Sequence, residues 1–338
     1  MIPGMMVDRR ARYDAASNSL SRRSDSELAA LIDGGRAGAV GVGGGSVRLD
    51  VGGVPVFAKR IPLTDREMAS PQSTANLFDL PLHCQYGVGG PGFGAWRELA
   101  ANGIVTDGVV AGETESFPVL YHWRVLPGRP PVAAEHADID AAVAALDGSA
   151  AVRARLQALA AASWSLVLFL EHIPYPLRGW LSQDPASKAA AVEGQLSEIV
   201  AFLRGRELLH MDGHFGNMLT DGERIYLADF GLATSPRFDL SAAERDFAIR
   251  NASHDAGYAA MQLVNWLVTA VCGVPVPASG GPIARNEYVL RCAAGHIPDD
   301  VPAAVAEILA RHAPAAATMN GFYWKLFGGE VRAEYPGW

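Results

Sequence analysis

The sequence predicts an α+β chain, with a small antiparallel sheet lobe towards the amino end and a mostly helical lobe after it. Three observations carry this expectation. Val47 to Val51 and Val54 to Ile61 are apolar, β-branched runs joined by Gly52-Gly53, the pattern of strand, tight turn and strand. Ser187 to Arg206, Ala256 to Val271 and Val301 to Ala313 read instead as apolar helical stretches. The 338 residues, 49% of them hydrophobic, suffice for one large core or for two lobes sharing a cleft.

Composition excludes several classes of function. A net charge of −8 gives no basic footprint, so nucleic acid is not an expected partner. No stretch approaches the roughly 18 uninterrupted apolar residues of a membrane span. Met1 to Arg10 also lacks the apolar centre of a signal peptide, so the expectation is a cytoplasmic protein with no membrane partner. Cys84, Cys272 and Cys292 are odd in number and scattered, which argues for buried free thiols over a disulfide framework. Nothing in the sequence specifies an oligomeric state.

The chemistry concentrates between residues 208 and 231. Asp212 stands five residues before Asn217 in a loop entered from the apolar Leu208-Leu209, and Asp229 follows the apolar strand Ile225 to Ala228. One carboxylate can face a substrate hydroxyl there. The amide and the second carboxylate are hard oxygen ligands of the kind that suit Mg²⁺ completed by phosphates. The spacing His210-x-Asp212-x-x-x-x-Asn217, followed by Asp229-Phe230-Gly231, resembles the catalytic loop and metal-binding motif of the protein-kinase-like superfamily. Met211 and His214 replace the Arg and Lys usual in Ser/Thr protein kinases. The order His210, Asp212, His214, Gly216, Asn217 is similar to the loop of aminoglycoside phosphotransferases and choline-kinase-like enzymes. The resemblance implies a bilobal kinase-like fold that holds ATP and Mg²⁺ between its lobes.

Taken in order, residues 1–37 read as a loose, Arg-rich arm followed by a helix capped at Ser24. Residues 38–170 are the sheet lobe. Its glycine-rich turn, Gly43-Gly44-Gly45-Ser46, would let backbone amides approach phosphate oxygens, and Lys59 at the end of the next strand would reach the same phosphates. Phe57 takes the place where protein kinases carry a small residue against the adenine, so it either stacks on a base or belongs to the core. The resemblance also requires a helical Glu to brace Lys59. Glu67 has too little chain to cross back, which leaves Glu98, 39 residues on, and makes residues 62–94 an insertion that is either a lid or a spacer. A strand follows at 117–126, then a helical stretch at 139–162, then the apolar run Ser165 to Leu170. The residues 169–173, including Glu171, are favoured for the hinge that meets the adenine edge, with 125–128 as the competing position. Residues 171–338 form the helical lobe with the catalytic loop, in which Asp239 or Asp246 is the candidate brace beneath it.

The implied reaction is in-line transfer of the ATP γ-phosphoryl to a hydroxyl. Asp212 would orient the acceptor and take its proton, Asn217 and Asp229 would hold Mg²⁺, and Lys59 braced by Glu98 would position the phosphates. His210 would support the loop by hydrogen bonding. His214, Met211 and the absence of an Ala-Pro-Glu motif favour a small-molecule acceptor over a protein one. Two other readings stay open: a Ser/Thr protein kinase, on the strength of the intact Asp229-Phe230-Gly231, and a pseudokinase or nucleotide-binding scaffold, prompted by the distant Glu98.

Overall fold

The computed structural model describes residues 3–41, 44–279 and 281–337. They form two compact units: the residues up to Ile173 together with Asp229–Arg245, and Pro174–Ala228 together with the residues from Asp246 onward. The fold class is α+β. The sequence boundary at 170/171 lies near the first of these crossings. Residues 229–245 cluster with the sheet, although the sequence reading counted them with the helical lobe.

The first unit opens with α1 (Pro3–Ser21) and α2 (Asp25–Asp33), then β1 (Arg36–Gly41), β2 (Gly44–Val51), β3 (Val54–Leu63) and the short α3 (Asp65–Ala69). It continues with α4 (Ala95–Val110), β4 (Leu120–Pro127), α5 (Ile139–Ala145), α6 (Ala150–Ala161) and β5 (Trp164–Glu171). The five strands make one antiparallel sheet in the order β1-β2-β3-β5-β4. Residues alternate between faces along a strand, so Phe57, Lys59, Ile61 and Leu63 of β3 share one. Ile61 and Leu63 pack with Ala95 and Trp96 of α4 and with Leu166 and Leu168 of β5, and the half-buried Phe57 packs against the same cluster.

The amino-terminal arm is a helix, contrary to expectation. Its inward stripe is Arg9, Tyr13, Ala16 and Leu20, a helical repeat disguised because its first member is charged. Arg9 is buried and donates to both carboxylate oxygens of Glu171, at 2.6 Å for the shortest contact, and to the Glu115 and Phe117 carbonyls. After Ser21 the chain turns, and Ser24 and Glu27 complete the capping box that starts α2.

The 62–94 segment is packed, not a spacer. Phe78, Leu80, Cys84 and Phe93 form a second core with Val143 and Leu146 of the α5 region and Val152 and Leu156 of α6. Burial pushes the Cys84 thiol up to about 12, so it is inert. The helical stretch expected at 139–162 is divided between α5 and α6, where Asp147 and Gly148 take positive φ.

The second unit contains β6 (Tyr175–Pro176), α7 (Leu177–Leu181), α8 (Pro185–Gly205), β7 (Met218–Thr220), β8 (Ile225–Leu227), α9 (Ala242–Arg250, which crosses the boundary), α10 (His254–Ala270), α11 (Ile283–Ala293) and α12 (Ala303–Phe327). Strands β6, β7 and β8 form a small antiparallel sheet. α8, α10, α11 and α12 pack on one another. α12 continues past Pro314, where the sequence reading stopped it. Burial of Ala316, Met319, Phe322, Tyr323 and Leu326 outweighs the roughly 3 kcal/mol cost of a proline inside a helix. Cys292 is buried, while Cys272 is only half-buried. Among the described residues, no helix is long and apolar enough to cross a membrane.

Arg9→Ala removes the cation closest to the buried Glu171 carboxylate among the described residues and leaves it Arg12, at 3.7 Å. A loss of about 3 kcal/mol in unfolding free energy by denaturant titration is expected, with Arg9→Ala/Glu171→Ala costing less than the sum of the single changes.

Candidate functional site

Lys59 lies in the central part of the sheet, opposite Ser46 on β2 and Leu168 on β5. Its Nζ donates to Glu98 Oε1 at 2.7 Å and to Asp229 Oδ1 at 2.8 Å. Lys59 and Glu98 are buried, whereas the Asp229 side chain keeps 42% of its surface exposed. Burial works against the lysine's charge, but the carboxylates of Asp229 and Glu98 overcome it and hold the ammonium above its ordinary range. Burial pushes the Glu98 carboxyl up to about 7; Lys59 opposes that rise and the charge of Asp229 adds to it. Two carboxylates thus share one ammonium, Glu98 from a buried position and Asp229 from a partly exposed one. Asp229 itself has φ +65°, a left-handed conformation that costs a non-glycine residue about 1–3 kcal/mol.

Glu98 reaches Lys59 because a residue the sequence reading dismissed positions its helix. Glu67 accepts from the Ala95 amide at 2.9 Å through its side chain and from the Trp96 indole at 2.9 Å through its backbone carbonyl. Its carboxylate therefore sits at the amino end of α4, where the helix dipole favours it. Arg155 of α6 binds both oxygens of Glu67, at 2.8 and 3.0 Å, and Thr64 completes a capping box with it. Burial opposes ionisation of Glu67, but Arg155 holds the carboxyl below its usual range. The signal in the sequence was Thr64-x-x-Glu67, a capping-box spacing. Arg155 had none.

The other expected nucleotide residues fall as follows. Gly43 lies outside the described residues. Gly44 has φ +119°, and a Cβ on it would meet the Arg60 carbonyl oxygen at 2.0 Å, so glycine is required there by close strand approach. Gly45 and Ser46 continue β2, opposite Arg60 and Lys59. Phe57 is half-buried and packs against the core around Trp96 and Leu168. The Glu171 side chain is taken by Arg9, and its backbone amide donates to the Val119 carbonyl at 2.8 Å.

The second unit holds the other cluster. His210 is fully buried; its Nε2 lies 3.0 Å from the Ala228 carbonyl, and its Nδ1 accepts from the Asp212 amide at 3.3 Å. Both contacts fit the neutral tautomer protonated at Nε2. The brace beneath the loop is Asp255, in the first turn of α10, where Asp239 or Asp246 had been expected. Its carboxylate accepts from the backbone amides of His210 at 2.6 Å and Met211 at 3.0 Å. Burial opposes its ionisation, but the hydrogen bond and charge of His254 and the hydrogen bond from the His210 amide hold it below its usual range. Met211 takes φ +66°, the turn at which two successive amides address one carboxylate. Asp239 instead bonds Thr74 in the first unit, and Asp246 is exposed.

Asp212 and Asn217 meet: Asn217 Nδ2 donates to Asp212 Oδ2 at 2.9 Å and to its carbonyl at 3.0 Å. The amide oxygen of Asn217 remains the group it can offer a cation. His214 Nδ1 accepts from the Gly216 and Asn217 amides at 2.9 and 3.2 Å, which turns Nε2 towards Asp212 Oδ2 at 3.7 Å. A Cβ at Gly216 would meet the His214 ring at 2.7 Å, so this glycine makes room for the imidazole. Among the described residues no three His, Cys, Asp or Glu side chains gather as a metal site. A carboxylate and an amide are hard oxygen donors, a type that suits Mg²⁺.

No protein-family model matches the chain, and no curated protein matches it.

Two outcomes follow from this geometry. Glu98 holds its proton to about pH 7 when folded, against an ordinary 4.5, so its contribution to stability is full below about pH 4.5 and lost as pH rises through about 7. In denaturant unfolding from pH 4.5 to 8, wild type is expected to lose stability relative to Glu98→Gln, and Asp229→Asn to move that loss to lower pH. Gly216→Ala, by displacing His214, is expected to shift the His214 ring resonances in NMR spectra while leaving the thermal midpoint within a few degrees, since the site is a loop.

Proposed function

We propose that the chain is an ATP- and Mg²⁺-dependent phosphotransferase of the protein-kinase-like kind, moving the γ-phosphoryl group to a hydroxyl of a small molecule. The observation that carries this reading is the Lys59 ammonium, 2.7 Å from Glu98 and 2.8 Å from Asp229. A lysine so held has a fixed position and a permanent charge, the two properties needed to align phosphates. The pair that the resemblance requires forms although Glu98 lies 39 residues beyond Lys59.

On this reading the fold is the bilobal kinase-like one, with the sheet unit as the small lobe and the helical unit as the large one. Asp212 orients the acceptor hydroxyl and takes its proton, with Asn217 fixing one carboxylate oxygen. Lys59 aligns the phosphates. Asn217 and Asp229 would hold Mg²⁺, which when bound neutralises phosphate charge. His210 keeps the loop in shape and does not react. His214 shapes the turn from Asp212 to Asn217.

A small acceptor is favoured over a peptide. A peptide needs an accessible segment to lie against, whereas Thr234, Ser235, Phe238 and Leu240, just after Asp229, are buried.

Radiolabelled ATP offered with amino-alcohols, nucleosides, antibiotics and protein substrates tests the reading. Transfer to a small molecule is expected, and Asp212→Asn is expected to lower kcat by about 10²–10⁴-fold with little change in the KM for ATP. Transfer only to proteins would replace the acceptor class. Mg²⁺·ATP binding without any transfer would leave a nucleotide-binding scaffold.

A further inference from the structure

The segment that follows Asp229 is held along its length by the 62–94 insertion and the start of α4. At Gly231 the approach is so close that a Cβ on Gly92 would meet the Gly231 carbonyl oxygen at 2.8 Å. At the next residue, Gln85 Nε2 donates to the Leu232 carbonyl. Further on, the Asp239 amide donates to Thr74 Oγ1 at 2.8 Å, and the Asp239 carboxylate accepts from the Thr74 amide at 3.3 Å and hydroxyl at 3.2 Å. At the far end, Arg97 pairs with Glu244 at 2.5 Å while its Nε donates to the Thr74 carbonyl at 2.6 Å. Gln85, Thr74, Arg97 and Glu244 are all buried.

Arg97 and Glu98 are consecutive in α4. Glu98 grips the beginning of the segment through Lys59 and Asp229; Arg97 grips its end through Glu244. The helix and the segment are therefore cross-linked twice, with the insertion fastening the stretch between. Phe230, packed on Phe117 with ring centroids 6.2 Å apart, adds an apolar anchor beside Asp229.

We propose that the insertion is a positioning clamp: Gln85 and Thr74, with Arg97, fix residues 231–244 so that Asp229 stays beside Lys59. This inference rests on the phosphotransferase reading for its catalytic consequence and on the hydrogen bonds above for its physical one. Thr234 and Ser235 are 3% and 0% exposed, and the exposed Ser241 caps α9, its hydroxyl accepting from the Glu244 amide at 3.3 Å. The position of Asp229 is thus set by the folded contacts of the segment that carries it. The residues involved are positioning residues, none of them among those proposed to touch substrate.

The test uses the full chain carrying Gln85→Ala and Thr74→Val, singly and together, with Thr74→Ser as the conservative control. Amide hydrogen exchange is expected to rise about tenfold or more across 230–240 in the double variant, because each lost hydrogen bond lowers the local opening free energy, and to stay unchanged in β3 and β5. Thr74→Ser is expected to match wild type. With an acceptor in hand, the apparent KM for Mg²⁺ is expected to rise severalfold while the KM for the acceptor holds. Wild-type exchange across 230–240 in the double variant would overturn the clamp, as would a rise of equal size throughout the sheet unit, which marks a general loss of stability. Raised exchange with unaltered Mg²⁺ dependence would overturn its role in positioning Asp229. If the wild-type chain transfers no phosphoryl group, the phosphotransferase reading fails separately, and exchange together with calorimetric binding of Mg²⁺·ATP still decides the clamp.

Discussion

One buried ammonium organises the first unit. Placing Lys59 in the middle strand of a sheet takes its charge out of water, a cost no fold accepts without compensation. The compensation comes from Glu98 on α4 and Asp229 on the returning segment, so strand, helix and segment must all be in place before the charge is satisfied. Burial, with the charge of Asp229 adding to it, pushes the Glu98 carboxyl up to about 7, and Lys59 opposes that rise.

The supports of this interaction are themselves ionic. Glu67 with Arg155, Arg97 with Glu244 and Arg9 with Glu171 are buried pairs that join α3 to α6, α4 to the 229–245 segment and α1 to β5. Apolar residues of similar volume would often stabilise as well or better, so such pairs are poor evidence of added stability. What they do here is select one arrangement. A slip of α4 by one residue would part Glu98 from Lys59 and Arg97 from Glu244, which an apolar interface would not penalise so sharply.

A parallel logic holds within the second unit. The loop from His210 to Asn217 uses a left-handed Met211 to present two amides to Asp255, and Asp255 is held by His254, whose Nε2 lies 3.1 Å from the Tyr323 hydroxyl of α12. Local strain at Met211 is tolerated because the buried carboxylate over-determines the conformation. Asp212 is then left to interact with Asn217 and His214 in a loop whose backbone is already satisfied.

Periodicity and turn residues in the sequence were enough to place β2, β3, β5, α8 and α10 to within a few residues, because alternation and helical spacing are local properties of the chain. Motif spacing picked out Asp212, Asn217, Asp229 and Lys59 for the same reason: each belongs to a short run whose residues are close in sequence. The helix in the amino-terminal arm was hidden by Arg9 at the head of its inward stripe. Asp255, Glu67, Arg155 and the role of residues 62–94 were hidden because their partners are far along the chain, and an isolated Asp, Glu or Arg looks the same in a sequence whether it caps a turn in water or neutralises a buried charge. Composition and local pattern thus determined which residues are candidates for chemistry and which segments are strand or helix. Only the tertiary structure decided which charges meet, because the cost of burying an unpaired charge is set by neighbours brought together from distant parts of the chain.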